Sequence, residues 1–136
     1  MLTLLKMDSV IETDFLSVRP EMTLKEMVDK ISQSNRNIFP VLNAAGELLG
    51  IVALDEIRNI MFRPDLYRKM NVASFMTSPP ARILIGEHMD SVMKKFDSTG
   101  AWSLPVVDPR GHYFGFISKG RIFNSYRRVL RHYCDD

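Results

Sequence analysis

The chain has 136 residues, a formal net charge of +2, 46% hydrophobic residues and 25% charged residues. This composition is typical of one globular domain or of two half-sized units, and the net charge is too small to indicate a nucleic-acid partner. No run approaches the roughly 18 apolar residues that span a bilayer, and the single cysteine, Cys134, excludes an internal disulfide and favours an intracellular compartment.

The first elements are predicted from capping signals and apolar spacing. Residues 1–5 are apolar but lack a basic region and a cleavage site, so we interpret them as a packed leader and not as a signal peptide. Residues 15–18 are predicted to form a short strand, which Pro20 ends. Thr23 and Glu26 have the spacing of a capping box, and apolar residues follow at helical spacing, so a helix is predicted to begin after Thr23.

Two apolar runs separated by a polar turn predict a hairpin after this helix. The runs are residues 38–42 and 48–52, and the turn is residues 43–46. A second helix is predicted from about residue 54 to residue 62, because Pro64 follows it. The first half therefore has the order strand, helix, strand, strand, helix.

The second half repeats the first. Residues 7–57 align with residues 72–122 at a constant shift of 65 positions, although only seven of the 51 aligned pairs are identical. Strands are predicted at 83–85, 104–107 and 113–117, a helix around 89–96, and a final helix from Lys119. The matches lie at turns and strand entries: Pro40-Val41 with Pro105-Val106, Gly46 with Gly111, and Gly50 with Gly115. One supersecondary unit is used twice, and two such units are expected to enclose a cleft for a small ligand.

Motifs at corresponding positions of the two halves identify a family. They are residues 72–77, which open a unit, residues 104–107 and 115–118, and, in the first half, residues 39–41 and 50–52. With this frame the chain resembles a tandem pair of CBS domains. The resemblance implies a mixed α+β (α/β) fold of two pseudo-twofold-related βαββα units, here residues 1–65 and 66–136. It also implies a regulatory module without enzymatic activity that often binds an adenine nucleotide, here ATP, ADP or AMP.

A narrower resemblance concerns the host protein. Residues 2–11 and 119–127 are similar to the cytoplasmic C-terminal region of bacterial CLC-type chloride channels and transporters. This implies a soluble domain on the cytoplasmic face of the inner (plasma) membrane, with the membrane-embedded part of the parent chain as partner. A homodimer is expected whatever the host, because exposed apolar helix faces on paired units favour two-fold contacts. No nucleic acid is expected as a partner. Two alternatives stay open: a ligand-free dimerisation scaffold, and a regulatory module of another host, such as a magnesium transporter or a metabolic enzyme.

The end of each unit departs from the pattern of nucleotide-binding family members. That pattern is Gly, two apolar residues, Thr or Ser, two variable residues and Asp, which implies a hydroxyl near a phosphate and a carboxylate near a ribose. The first unit has Ala53 and Glu56 at these two positions, and the second has Ser118 and Arg121. Acids at the first helix start would repel a phosphate, whereas the cations of the second make it the better anion site.

The candidate ligand-binding residues come from both halves and include no catalytic or metal-binding residue. They are Asn37, Ile38, Pro40, Glu56, Thr77, Trp102, Ser103, Pro105, Ser118, Lys119 and Arg121. Trp102 could stack on an adenine or pack against the preceding helix, and Thr77 could contact ligand or serve a turn. Ser118 could be only a helix N-cap. The basic residues from Lys119 to Arg131 form either a solvated face or a contact for an anion.

Overall fold

The computed structural model describes residues 6–134, the last two by their backbone alone. The proposed packed leader at residues 1–5 lies outside this range. The chain divides into two compact units. We call Asp14–Pro79 with Gly111–Tyr113 the N-unit, and the C-unit consists of the residues up to Thr13, Pro80–Arg110 and the chain from Phe114 onward.

The N-unit contains a two-stranded antiparallel sheet and three helices. Its elements are α1 (Leu24–Ser32), β1 (Ile38–Leu42), β2 (Leu48–Ala53), α2 (Leu54–Ile57), a 3₁₀ turn (Pro64–Leu66) and α3 (Val72–Phe75). The predicted capping box at the start of α1 is confirmed. The Glu26 N–H donates to Thr23 Oγ1 at 3.2 Å, and the Thr23 N–H donates to Glu26 Oε1 at 3.2 Å.

The C-unit contains a three-stranded sheet and two longer helices. Its elements are a 3₁₀ turn (Met7–Ser9), β3 (Ile83–Leu84), α4 (Met89–Thr99), β4 (Ser103–Val107), β5 (Tyr113–Ser118, of which Tyr113 counts with the N-unit) and α5 (Lys119–Cys134). The strand order is β3-β4-β5, and β3 runs parallel to β4. The fold is thus mixed α+β, as predicted. None of the helices within residues 6–134 has the length and apolar character needed to cross a bilayer.

The two hydrophobic cores are built from equivalent positions. Each buried residue of the N-unit cluster has a counterpart 65 positions away in the buried C-unit cluster. The pairs are Val18/Ile83, Met27/Val92, Phe39/Leu104, Val41/Val106, Val52/Ile117, Ile57/Ile122 and Val72/Met7. In the last pair, Val72 opens the second repeat but counts with the N-unit, and Met7 opens the first repeat but counts with the C-unit. The sequence repeat is therefore also found in the residues that form the two cores. The segment that opens each repeat, however, counts with the unit that holds most of the other repeat.

Two predicted elements are wrong in extent. Residues 15–18 form no strand beyond a single parallel bridge from Val18 to Val41. The adjacent residue of β1 is Pro40, which has no N–H to donate to a longer ladder. Helix α2 ends at Ile57, and turns replace the predicted helix up to residue 62. Arg63, which precedes a proline, has the extended φ and ψ of −114° and 91°, because the proline ring disfavours helical geometry one residue earlier.

Candidate functional site

One backbone hydrogen bond places the candidate residues of each unit together. The Leu54 N–H donates to the Asn37 carbonyl oxygen at 3.0 Å, and at the equivalent positions the Lys119 N–H donates to the Trp102 carbonyl oxygen at 2.9 Å. Each bond joins the residue before a strand, β1 or β4, to the first residue of a helix, α2 in the N-unit and α5 in the C-unit. In each unit, the candidate residue that precedes the strand therefore lies next to the start of a helix.

A second contact brings one further residue to each helix start. Thr77 and Ile51 exchange two backbone hydrogen bonds, at 2.8 and 2.9 Å, and Glu12 and Phe116 do the same at 3.0 and 2.8 Å. Glu12 and Thr77 are themselves 65 positions apart. Both segments run close to a glycine of the adjacent strand, where a β-carbon would meet the carbonyl oxygen of Thr77 or Glu12.

The N-unit site, defined as Asn37, Glu56 and Thr77, is acidic. The Thr77 hydroxyl donates to Glu56 Oε2 at 3.0 Å, and all three side chains are exposed. Asp55 adds a second carboxylate in the first turn of α2. Since no side chain caps this helix start and two acids stand there, the site is poor for a phosphate and suitable for accepting hydrogen bonds from sugar hydroxyls.

The C-unit site, defined as Glu12, Trp102, Ser118, Lys119 and Arg121, combines an aromatic face with cations. Ser118 Oγ accepts from the Arg121 N–H at 3.1 Å, as an N-cap does, and donates to Glu12 Oε1 at 3.4 Å. Lys119 Nζ lies 5.9 Å from the centroid of the Trp102 ring. Trp102 is 78% exposed, so most of its indole surface is accessible for stacking.

Four further candidates have different surroundings. Pro40 and Pro105 are buried within β1 and β4, so they support the strands and offer little surface to a ligand. Ile38 and Ser103, the first residues of these strands, are half-buried.

The two sites carry their hydroxyl and carboxylate in opposite places. In the N-unit the acid Glu56 is on the helix and the hydroxyl of Thr77 is on the neighbouring segment, whereas in the C-unit Ser118 is at the helix start and the acid Glu12 is on the neighbouring segment. Sequence reasoning missed Glu12. The alignment of the two repeats already pairs Glu12 with the candidate residue Thr77, and this signal would have found it.

The N-unit also has a cavity of about 340 Å³, which the sequence analysis did not predict. Its lining consists of residues 14–16 and 33–36 and includes Arg36, the residue before Asn37 of the N-unit site. The Arg36 guanidinium is hydrogen-bonded to the Asp14 carboxylate and lies 4.3 Å from the centroid of the Phe15 ring. Its charge is thus held between an acid and an aromatic face. Among the described residues, no three His, Cys, Asp or Glu side chains are grouped as a metal site requires.

Comparison with known proteins agrees with this duplicated arrangement. The model of the CBS domain matches the chain twice, at residues 7–63 and 72–128. A methylated protein of Methanocaldococcus jannaschii is 27% identical over 105 residues, which are 76% of this chain and 59% of the relative. The chain therefore spans about 59% of that relative's length.

Solved structures with the same fold include two that hold a nucleotide and one from a Mg²⁺ transporter. CbpB in complex with c-di-AMP has a TM-score of 0.80 at 14% identity, covering 98% of this chain and 91% of that one. CBSX2 in complex with AMP has a TM-score of 0.75 at 17% identity, covering 90% and 96%. The CBS domain of a bacterial CNNM/CorC family Mg²⁺ transporter has a TM-score of 0.70 at 15% identity, covering 85% and 69%.

Proposed function

The chain belongs to the CBS domain family, with two copies of the domain, and from this premise we propose that it is a regulatory module that binds an adenine nucleotide and catalyses no reaction. The observation that carries the proposal is the grouping of an exposed indole with two cationic side chains at the start of α5. Two relatives with this fold were solved with AMP and with c-di-AMP, which supports the ligand class.

Each part of a nucleotide has a counterpart in the C-unit site. The exposed face of Trp102 can stack on an adenine. Lys119 and Arg121 stand at the positive end of the helix dipole, which costs the helix a few tenths to about 1 kcal/mol, and a bound phosphate would offset this cost. Glu12 can accept a hydrogen bond from a ribose hydroxyl. We therefore infer that the phosphate binds at the C-unit site rather than at the acidic N-unit site.

Regulation follows if the nucleotide binds one state of the module more tightly than the other. The ligand then shifts the population towards that state, and a partner or host that contacts the module senses the shift. For this regulatory role, the module needs only a difference in nucleotide affinity between its two states.

Thermal unfolding with and without nucleotide tests the proposal. AMP or cyclic di-AMP should raise the melting temperature, because a ligand present at 100 times its Kd stabilises the folded state by about 2.7 kcal/mol. Trp102→Ala and Arg121→Ala should reduce the rise. Asn37→Ala and Glu56→Ala alter the equivalent positions of the N-unit, all of them exposed, and serve as matched controls that should retain it. An equal loss in both pairs would contradict the assignment to the C-unit site.

The alternative function is a scaffold that binds no ligand. It is favoured by the two departures from the family pattern, Ala53 in place of a hydroxyl and Arg121 in place of an acid. If AMP, ADP, ATP and cyclic di-AMP all leave the melting temperature unchanged, the scaffold is the better account.

We further propose a chloride channel or transporter of the CLC type as the host, with the module at the cytoplasmic face of the plasma membrane. The proposal is supported by the similarity of residues 2–11 and 119–127 to that region. The competing hosts are a Mg²⁺ transporter and a metabolic enzyme. Of these two, the similarity in fold to the CBS domain of a Mg²⁺ transporter favours the transporter. Sequencing the reading frame on both sides of the chain decides between them, since each host has a different neighbouring domain.

A further inference from the structure

The solvent-facing side of α5 carries a row of arginines. Ile122 and Ser125 are buried on the opposite side of the helix, while Arg127, Arg128 and Arg131 are exposed. At 3.6 residues per turn, Arg131 lies between Arg127 and Arg128 around the helix axis, and the three positions fall within an arc of about 100°. We call Arg127, Arg128 and Arg131 the basic stripe.

Within residues 6–134, the basic stripe has neither an acid on its own helix nor an ion-pair partner. Helix α5 contains no Asp or Glu. Among residues 6–134, no ion pair includes any of the three arginines. Arg131 lies in the last turn, where a cation complements the helix dipole. That role does not extend to Arg127 and Arg128, which lie earlier in the helix.

An apolar row borders the basic stripe. Phe123 is 43% exposed and Leu130 is half-buried. These residues are seven positions apart, so they share one side of the helix, next to Arg127. Val129, the residue before Leu130, packs against the C-unit core. The exposed surface of α5 therefore presents apolar and cationic groups side by side.

We propose that this face of α5 docks on the surface of an anionic lipid bilayer. Guanidinium groups pair with lipid phosphates, and the border between headgroups and acyl chains accepts an aromatic and an aliphatic side chain next to them. Nucleic acid or an acidic protein would use the arginines but would leave the apolar row exposed. A symmetric contact with a second copy along this face would place like charges opposite each other. A bilayer is the partner that matches both rows.

Vesicle sedimentation with the whole chain tests the docking. The probes are large unilamellar vesicles of phosphatidylcholine alone and of phosphatidylcholine mixed with phosphatidylglycerol, at about 0.1 M salt, where the Debye length is about 10 Å. Binding is expected only to the mixed vesicles and should weaken as salt is raised. The triple variant Arg127→Gln, Arg128→Gln, Arg131→Gln should bind about 100-fold more weakly, at about fivefold for each arginine near an anionic surface.

A matched triple variant controls for total charge. Its substitutions, Arg68→Gln, Lys69→Gln and Lys94→Gln, are at exposed positions outside α5. This variant also changes the net charge from +2 to −1, because three cations are removed. It should bind the mixed vesicles nearly as well as the unaltered chain. Circular dichroism of both variants shows whether the fold is intact.

Three results would overturn the proposal: no binding to mixed vesicles, equal losses in the two triple variants, or tighter binding to duplex DNA or to polyglutamate than to mixed vesicles. Phe123→Ser adds an independent test, since it leaves all charges in place and should still weaken binding to the bilayer. Unchanged binding of Phe123→Ser would mean that the apolar row has no part in docking.

Discussion

At Gly115, a β-carbon would lie 2.5 Å from the carbonyl oxygen of Glu12 and 2.9 Å from a methyl group of Ile11. The backbone there also has a φ of +147°, which residues with a side chain rarely adopt. Gly50, the equivalent residue, meets the carbonyl oxygen of Thr77 at 2.8 Å. Gly50 and Gly115 are matched glycines of the repeat. In the structure, each lets the backbone of a neighbouring segment approach closely, and that segment carries one residue of a candidate site, Thr77 or Glu12.

Replacing this glycine should be costly. We expect Gly115→Ala to lower the free energy of unfolding by about 2 kcal/mol or more, because it combines a steric clash with an unfavourable φ. The matched control is Gly120→Ala in α5, where nothing lies within 4 Å of the added carbon and where alanine should stabilise by a few tenths to about 1 kcal/mol. Urea denaturation measures both, and a near-neutral Gly115→Ala would show that the segment moves aside freely.

Glu87 should make stability depend on pH. Burial alone would raise the pKa of its carboxyl, but hydrogen bonds from Lys95, Ser91 and the Leu84 N–H together lower the pKa below its ordinary value of 4.5. Lys95 Nζ lies 2.8 Å from Glu87 Oε1 and also donates to the Arg82 carbonyl oxygen at 2.6 Å. A carboxylate with a lowered pKa stabilises the fold fully above its ordinary pKa, and the contribution is lost as pH falls through the folded-state pKa.

The corresponding measurement compares Glu87→Gln with the unaltered chain across pH. The variant should be less stable by about 1–2 kcal/mol at pH 7, and the difference should shrink below pH 4.5. Glu21→Gln removes an exposed carboxylate and should stay within about 0.5 kcal/mol of the unaltered chain at every pH. A difference for Glu87→Gln that does not change with pH would refute the account of this carboxylate.

Among the elements, the two long repeat helices start differently. Helix α1 has the complete capping box of Thr23 and Glu26, whereas the N-cap of α4 is His88, whose side chain makes no capping hydrogen bond. The first helix and both hairpins could be predicted because their signals are local: caps, apolar spacing and turn glycines. The extent of the strand at residues 15–18 could not, because it depends on which strand lies alongside. The end of α2 at Ile57 could not either, because the sequence has no proline or glycine at positions 58–62 to signal it.

Exchanging the cap residues tests this difference between the helices. Thr23→Ala should destabilise the chain by about 1 kcal/mol, since it leaves a helix N–H without its acceptor. His88→Thr places the residue of the first repeat at an exposed position of the second and should stabilise by a few tenths to about 1 kcal/mol. Thermal denaturation measures both changes. If His88→Thr destabilises, His88 has a role beyond the helix start.

For the whole molecule, the duplicated sequence predicted two similar units, and their matched core residues agree with this. The alignment could not show that the segment opening each repeat counts with the other unit, because a repeat pattern does not identify the core that a segment joins. Likewise, Trp102 could be chosen from its type and position, but its exposure depends on tertiary packing. The candidate sites were therefore predictable as helix starts, and Glu12 could have been added to them from its pairing with Thr77 in the repeat.

We expect the chain to be a homodimer in solution. Exposed large apolar residues on both units, such as Phe62 in the N-unit and Leu84 in the C-unit, are the kind of surface that two-fold contacts cover. Light scattering should give a mass near twice 15.6 kDa, that is 31.2 kDa. A mass of one chain at concentrations of about 100 μM would contradict the expectation, because a specific dimer with a micromolar Kd would be largely formed there.

Calorimetric titration of the whole chain with AMP, ADP, ATP and cyclic di-AMP tests the central claim most directly. The account predicts saturable binding of at least one of them, with one phosphate-binding site per chain, and loss of that binding in Arg121→Ala but not in Glu56→Ala. Absence of heat with all four nucleotides, in a sample that unfolds cooperatively, would contradict it and leave a module that acts through protein contacts alone.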